Sequence, residues 1–115
     1  PTIIFDDFTT ESRYINFPFK VKSSAIKMLT LKDDNNDLYF LYSLMSTIDF
    51  TVGAHQRYWI SEFQNLIVSI PSLPEQQKIA SCLSSLDTLI AKQQERIALL
   101  KTHKKGLLQQ LFPNY

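Results

Sequence analysis

The sequence predicts an α+β protein: a small mixed α/β unit over residues 1–71, followed by one long projecting coiled-coil helix over residues 72–113. The distribution of aromatic residues supports this division. Twelve aromatic side chains lie between Phe5 and Phe63, and none occurs again until Phe112. A segment rich in aromatic residues is typical of a small domain with a packed core, because these side chains bury the most apolar surface.

Proline, glycine and charge change at the same boundary. Pro71 and Pro74 lie beside it, and neither residue type follows until Gly106. The first 71 residues carry six basic and eight acidic residues, a net charge of −2, whereas the remainder carries six basic and three acidic residues, a net of +3. The whole chain is therefore almost neutral at +1, so binding to nucleic acid or to a membrane would need a local patch of charge.

Short segments of β-branched and aromatic residues predict strands in the first region, because they alternate in part between apolar and polar positions. The predicted strands are Thr2–Phe5, Tyr14–Phe17, Ala25–Leu31 and Leu66–Ile70, and a short helical turn is expected at Ser61–Asn65. Asp6 and Asp7 are interpreted as a capped turn rather than as a metal site, since no second acidic cluster suits that role.

One helix is predicted in the first region, over Asp37–Met45. Its apolar residues fall at i, i+3, i+4 and i+7, namely Leu38, Leu41, Tyr42 and Met45. The polar cluster from Asp33 to Asp37 offers N-caps for it. The same cluster imitates the start of a calcium loop, but leucines replace the turn glycine and the final glutamate, so a calcium site is not expected.

The second region is predicted to be one helix that ends near Leu111. Ser72 and Glu75 have the spacing of a capping box, and Pro74 fits the first turn. Apolar residues then follow a 4-3 alternation, called the seam below: Ile79, Leu83, Leu86, Ile90, Ile97, Leu100, Leu107 and Leu111. This spacing is typical of a coiled coil.

A helix of roughly 37 residues would be about 55 Å long, well beyond the width of a small domain. The distal half of the seam is therefore expected to need a partner helix, from another chain or from another part of the same protein. Leu83, Leu86 and Ile90 could instead cover the first region as core. Gln93 and Lys104 also occupy seam positions, where they could fix the register of a coiled coil or lie at a solvated rim.

A group of basic residues is the first candidate site. Arg13, Lys20, Lys22 and Lys27 are interleaved with aromatic residues and followed by Ser23. Long cations bind DNA phosphates without regard to sequence, and hydroxyl groups help to orient them. The alternative is a half-exposed strand whose outward residues happen to be lysines.

A second candidate follows Gly53, where His55, Gln56 and Arg57 could meet base edges, since Arg forks onto guanine and Gln onto adenine. The adjacent Tyr58 and Trp59 could instead anchor this loop in the core. No metal site is expected, because the histidines and Cys82 lack ligand spacing. The single cysteine and the lack of a signal pattern predict a cytoplasmic protein.

The run from Ile70 to Ala80, which reads IPSLPEQQKIA, and the run from Lys104 to Pro113 closely resemble the C-terminal region of type I restriction-modification specificity subunits. The runs Phe5–Thr10 and Phe17–Ser24 also resemble the latter part of one class of target recognition domain. The resemblance implies a DNA sequence-specificity module that binds half of a bipartite site. It also implies that the long helix serves as spacer and as a platform for methyltransferase subunits.

The same resemblance implies no catalysis and no cofactor in this chain, because S-adenosylmethionine, ATP and Mg²⁺ are expected on the methyltransferase and restriction subunits. It strengthens the expectation that Arg57 and His55 face double-stranded DNA. Pairing through the seam is expected to give an antiparallel homodimer or to join a second specificity half. The alternative is a degenerate or truncated remnant that acts only as a coiled-coil dimerisation module.

Overall fold

A computed structural model of the chain describes residues 1–48 and 63–112. Its elements in chain order are β1 (Thr2–Asp6), β2 (Ser12–Ile15), β3 (Ile26–Leu29), α1 (Leu38–Ser46), a 3₁₀ turn (Phe63–Asn65) and α2 (Leu73–Leu111). The predicted α+β class with one long helix is confirmed. The chain divides into two compact units, Pro1–Ala80 and Ser81–Tyr115, and α2 runs through both. The domain bounds inferred from composition stay a prediction.

The three strands form an antiparallel sheet in the order β2-β1-β3. Alternate residues of β1 differ in exposure: Ile3 and Phe5 are buried, whereas Ile4 is half-buried. In the ladder Ile3 pairs with Tyr14, and Ile4 pairs with Arg13. Because directly paired residues point to the same side of a sheet, Ile3, Phe5 and Tyr14 share one face, while Ile4 and Arg13 share the other.

Helix α1 covers the first of these faces. Its N-cap is Asp37, whose Oδ1 accepts a hydrogen bond from the Phe40 N–H at 2.8 Å. The Tyr14 ring packs against the α1 rings of Tyr39 and Tyr42, with centroid distances of 5.2 and 5.9 Å. The core therefore lies between β1, β2 and α1. Helix α1 does not cover the opposite face of the sheet.

The observed strands differ from their predicted bounds because pairing with β1 limits them. The second strand, predicted at Tyr14–Phe17, begins and ends two residues earlier, since its last pair joins Ile15 to Thr2 at the start of β1. The third strand, predicted at Ala25–Leu31, pairs only over Ile26–Leu29. The helix prediction is confirmed, with Asp37 as the cap and Ser46 as the last residue.

The predicted strand at Leu66–Ile70 is wrong. This segment has no regular secondary structure, and Ile67 is 99% exposed. A strand needs a neighbour for its backbone hydrogen bonds, and the sheet of the described residues comprises β1, β2 and β3 only. The short helical turn is confirmed at Phe63–Asn65, whereas residues 61 and 62 lie outside the described part of the chain.

Helix α2 begins and ends close to its predicted bounds. The Gln76 N–H donates to the Ser72 carbonyl at 3.0 Å. The predicted capping box is wrong: within residues 63–112 neither the Ser72 side chain nor the Glu75 side chain accepts a hydrogen bond from the backbone N–H of the other residue. Gln76 and Ala80, four residues apart on one helix face, are the buried residues of α2. In the described ranges no helix is long and apolar enough to span a membrane.

Candidate nucleic-acid interface

An open groove of about 420 Å³ lies on the face of the sheet opposite α1 and is called the basic groove below. Its lining residues come from β1, β2, the β2–β3 connection and the start of β3: Ile4, Asp6, Glu11, Arg13, Lys20, Val21, Lys22, Ser23 and Ile26. Ile4, Val21 and Ile26 supply the apolar part of its surface. The remaining residues carry charges or hydroxyl groups, so the surface of the groove is mixed in character, as in many ligand sites.

Four residues that the sequence predicts to contact DNA are brought together here. Arg13 comes from β2, whereas Lys20, Lys22 and Ser23 come from the connection that follows it. Lys20 and Lys22 lie outside the strands, whereas Arg13 lies in β2 and Lys27 in β3, so a strand describes only part of the basic cluster. The other predicted DNA contacts, His55, Gln56 and Arg57, lie outside the described residues.

Lys27 belongs to the same sequence cluster but does not line the basic groove. Its Nζ lies 4.0 Å from Oδ2 of Asp7, a carboxylate that is completely buried. The Lys27 Nζ also donates to the Ser24 carbonyl at 3.5 Å. In the register of the sheet Lys27 pairs with Phe5, which places it on the α1 side. We conclude that Lys27 serves the fold, where it compensates a buried charge.

The turn from Asp6 to Glu11 forms one wall of the basic groove, and hydrogen bonds define its shape. The Asp6 Oδ1 accepts from the N–H groups of Phe8 and Thr9 at 2.9 and 3.2 Å, which confirms the predicted capped turn. Backbone bonds from Asp6 N–H to Glu11 O and from Thr10 N–H to Asp6 O close it. Thr10 has a φ of 61°, a strained value for a β-branched residue that these bonds hold in place.

The segment around Ser23 lines another part of the basic groove. The Ser23 Oγ accepts from the Ala25 N–H at 3.2 Å, and the Asp7 N–H donates to the Ala25 carbonyl at 2.8 Å. The first bond shapes the β2–β3 connection, and the second ties this connection to the β1–β2 turn. The Ser23 hydroxyl still has its own O–H group to donate, which suits a phosphate oxygen.

Charges of both signs line the basic groove. Arg13, Lys20 and Lys22 contribute three positive charges, whereas Asp6 and Glu11 contribute two negative ones. Sequence reasoning missed Glu11, although a signal was present: Glu11 lies two residues before Arg13, and alternate residues of an extended segment point the same way. A carboxylate repels phosphates but accepts hydrogen bonds from base amino groups. The groove therefore presents both cationic hydrogen-bond donors and carboxylate acceptors.

The seam of α2 is the second feature with a predicted role. All eight seam residues are exposed in the single chain, from 36% at Leu83 to 69% at Leu111. Coverage of Leu83, Leu86 and Ile90 by the first region stays an alternative prediction. Pairing of α2 with another helix stays a prediction. Across the described ranges, no three His, Cys, Asp or Glu side chains gather in a way that could hold a metal ion.

Comparison with known proteins identifies the family. The profile described as the type I restriction modification DNA specificity domain matches residues 2–102. The specificity subunit of the type I restriction enzyme EcoR124I/EcoR124II of Escherichia coli is 39% identical over 112 residues, which is 91% of this chain and 28% of that subunit. The MjaVIII specificity subunit of Methanocaldococcus jannaschii is 31% identical over 97 residues, which is 80% of this chain and 23% of that subunit.

No solved structure matches the chain at a significant level. The chain spans less than a third of the length of the two relatives. The family profile nevertheless covers β1, β2, β3, α1 and most of α2, so it includes the basic groove and most of the seam. The chain therefore belongs to the family of type I restriction modification DNA specificity domains.

Proposed function

We propose that this chain is a DNA sequence-specificity module of a type I restriction-modification system, which binds one half of a bipartite site and docks methyltransferase subunits. It contributes no catalysis of its own. Methyl transfer and DNA cleavage, with their S-adenosylmethionine, ATP and Mg²⁺, belong to methyltransferase subunits and to restriction subunits that join indirectly. The observation that carries this proposal is the convergence of Arg13, Lys20, Lys22 and Ser23 on one groove.

The basic groove supports DNA binding through two kinds of contact. Arg13 and the two lysines would neutralise phosphates, which would supply affinity without sequence preference. Arg13 also has the planar fork that matches guanine in the major groove. Sequence preference would come from Arg13, from Glu11 and from the loop that carries His55, Gln56 and Arg57.

The seam supports assembly. Its eight exposed apolar residues follow the spacing of a helix that packs against another helix. Two copies that pair antiparallel through this seam would be related by a two-fold axis and would present two identical grooves. A two-fold protein reads two symmetric half-sites at a fixed separation. The seam thus explains how a chain with one groove could serve a bipartite site.

The test is to mix the chain with the methyltransferase subunit of its own system and to select bound sequences from a random DNA library. The proposal predicts a stable complex that enriches a symmetric bipartite site. The chain should also bind duplex DNA more weakly as salt concentration rises, and Arg13→Ala should lower this affinity. The absence of both a complex and an enriched site would refute the proposal.

A second candidate function is a dimerisation module without useful DNA affinity, and the exposed seam favours it. The two candidates differ in one measurement. The dimerisation module would sediment as a dimer yet bind DNA no better than an unrelated protein of the same net charge of +1. A dimer whose DNA affinity falls when the basic groove is altered is the result expected of a specificity module.

A further inference from the structure

Gln76 is a buried polar residue at the start of α2, with only 1% of its side chain exposed. Glutamine is rarely buried, because its amide must keep its hydrogen bonds away from water. The neighbouring Gln77 is exposed, so the two residues share a chemistry and differ in surroundings. The burial of Gln76 therefore points to specific partners rather than to a general preference for glutamine in this turn.

The amide of Gln76 has three partners. Its Oε1 accepts from the backbone N–H of Asp37 at 2.9 Å. Its Nε2 donates to the Asn36 Oδ1 at 3.1 Å and to the Pro71 carbonyl at 3.0 Å. Both N–H groups of the amide and one lone pair of its oxygen are used, so the group is well satisfied. A satisfied buried polar group favours one arrangement of the surrounding chain.

Asp37 links this amide to α1. Its side chain caps α1 through the Phe40 N–H, and its carbonyl accepts from the Leu41 N–H at 3.0 Å. The same residue thus binds α1 through its oxygens and Gln76 through its N–H. From α1 the contacts continue to Tyr14 of β2, which lies beside Arg13 of the basic groove. A path of direct contacts therefore joins the first turns of α2 to β2, the strand that carries Arg13.

We propose that Gln76 is a positioning residue, which fixes the start of the assembly helix on the recognition unit through the N-terminus of α1. The roles of α2 in assembly and of the first unit in recognition rest on the proposed function, whereas the contacts of Gln76 do not. A shift of α2 by one residue would turn its side chains by about 100° and remove the amide from all three partners. The hydrogen bonds of Gln76 therefore select one register of α2 on this unit.

The test is hydrogen exchange followed by NMR on the chain as it exists, and it needs no DNA. In the unaltered chain, the Asp37 N–H and the side-chain NH₂ of Gln76 should exchange with solvent at least about tenfold more slowly than the side-chain NH₂ of Gln77 does. Equal exchange of the two glutamine side chains would overturn the proposal, and this result needs no variant to fold.

Variants separate positioning from simple filling of space. Gln76→Met keeps most of the volume but offers no hydrogen bond, so the Asp37 N–H should exchange about tenfold faster. Gln76→Glu keeps an acceptor for the Asp37 N–H, but it replaces the NH₂ donor with an oxygen that faces the acceptors of Asn36 and Pro71. This variant should therefore perturb the backbone amide signals near Asn36 and near Pro71. Gln77→Met and Gln77→Glu are the matched controls, and both should leave Asp37 protected.

Thermal unfolding and DNA affinity are measured on the same variants. If Gln76 only fills space, Gln76→Met will leave both the Asp37 exchange rate and the unfolding midpoint unchanged, and the proposal is then wrong. If Gln76→Met fails to fold, Asn36→Ala replaces it, since it removes one acceptor and should raise the exchange of the Gln76 NH₂. Loss of protection at Asp37 without DNA binding in any chain would support the positioning role while rejecting the proposed function.

Discussion

Lys22→Ala should weaken DNA binding in a way that depends on salt, because Lys22 is one of three cations that line the basic groove. Each neutralised phosphate adds about −0.9 to the slope of log K against log salt concentration, so three contacts give a slope of about −2.7. A rise from about 50 to about 200 mM salt then weakens binding about 40-fold. With two contacts the slope is about −1.8, and the same rise weakens binding only about 12-fold.

The assay is fluorescence anisotropy with a labelled duplex of arbitrary sequence at four or more salt concentrations. Lys32→Ala is the matched control, since it removes the same charge from an exposed position that does not line the groove. Its slope should equal that of the unaltered chain. The reasoning is refuted if both variants lower the slope equally, because binding would then follow net charge, or if Lys22→Ala leaves the slope unchanged.

Three further predictions concern the turn, the groove and the seam. Glu11→Gln should tighten binding to arbitrary duplex DNA about twofold to fivefold at low salt in the same anisotropy assay, because an exposed carboxylate no longer repels phosphates. Asp6→Ala should lower the free energy of unfolding by about 1–2 kcal/mol in denaturant titrations, since two backbone N–H groups lose their acceptor; Asp34→Ala should change it little. Leu100→Asp should weaken dimerisation at least about 30-fold in sedimentation equilibrium, because it places a charge in an apolar seam. Leu99→Asp is the control, since Leu99 is exposed and lies outside the seam, and it should leave dimerisation unchanged.

Local patterns predicted the helices well, because the signals for helices lie close together in the chain. The polar cluster that ends at Asp37 was recognisable as a source of N-caps for α1, and the 4-3 alternation predicted α2 through Leu111. Strand bounds were less accurate, since they depend on the partner strand. The segment Leu66–Ile70 is as apolar as a strand, but whether a neighbouring strand pairs with it cannot be read from its own residues. Among the described residues the sheet comprises β1, β2 and β3 only.

The residues of the basic groove were predicted in part, because some of them lie close together in the sequence. Arg13, Lys20, Lys22 and Ser23 are close in sequence, so their cluster was visible before the fold was known. Lys27 was grouped with them, yet the register of β3 places it with Asp7 on the other side of the sheet. The role of Gln76 was hidden, because its partners Asn36 and Asp37 lie 40 and 39 residues away in the chain.

The short outer strands of the sheet affect how copies of this chain can associate. In the described part of the chain, β2 and β3 form the two edges, and each contains only four residues. Short edges offer few free backbone groups to a neighbouring strand, which protects a protein against aggregation through its sheets. Proline at position 18 further prevents extension of the β2 edge. If copies of this chain associate, the predicted pairing through the helix seam would therefore be favoured over pairing through the edges of this sheet.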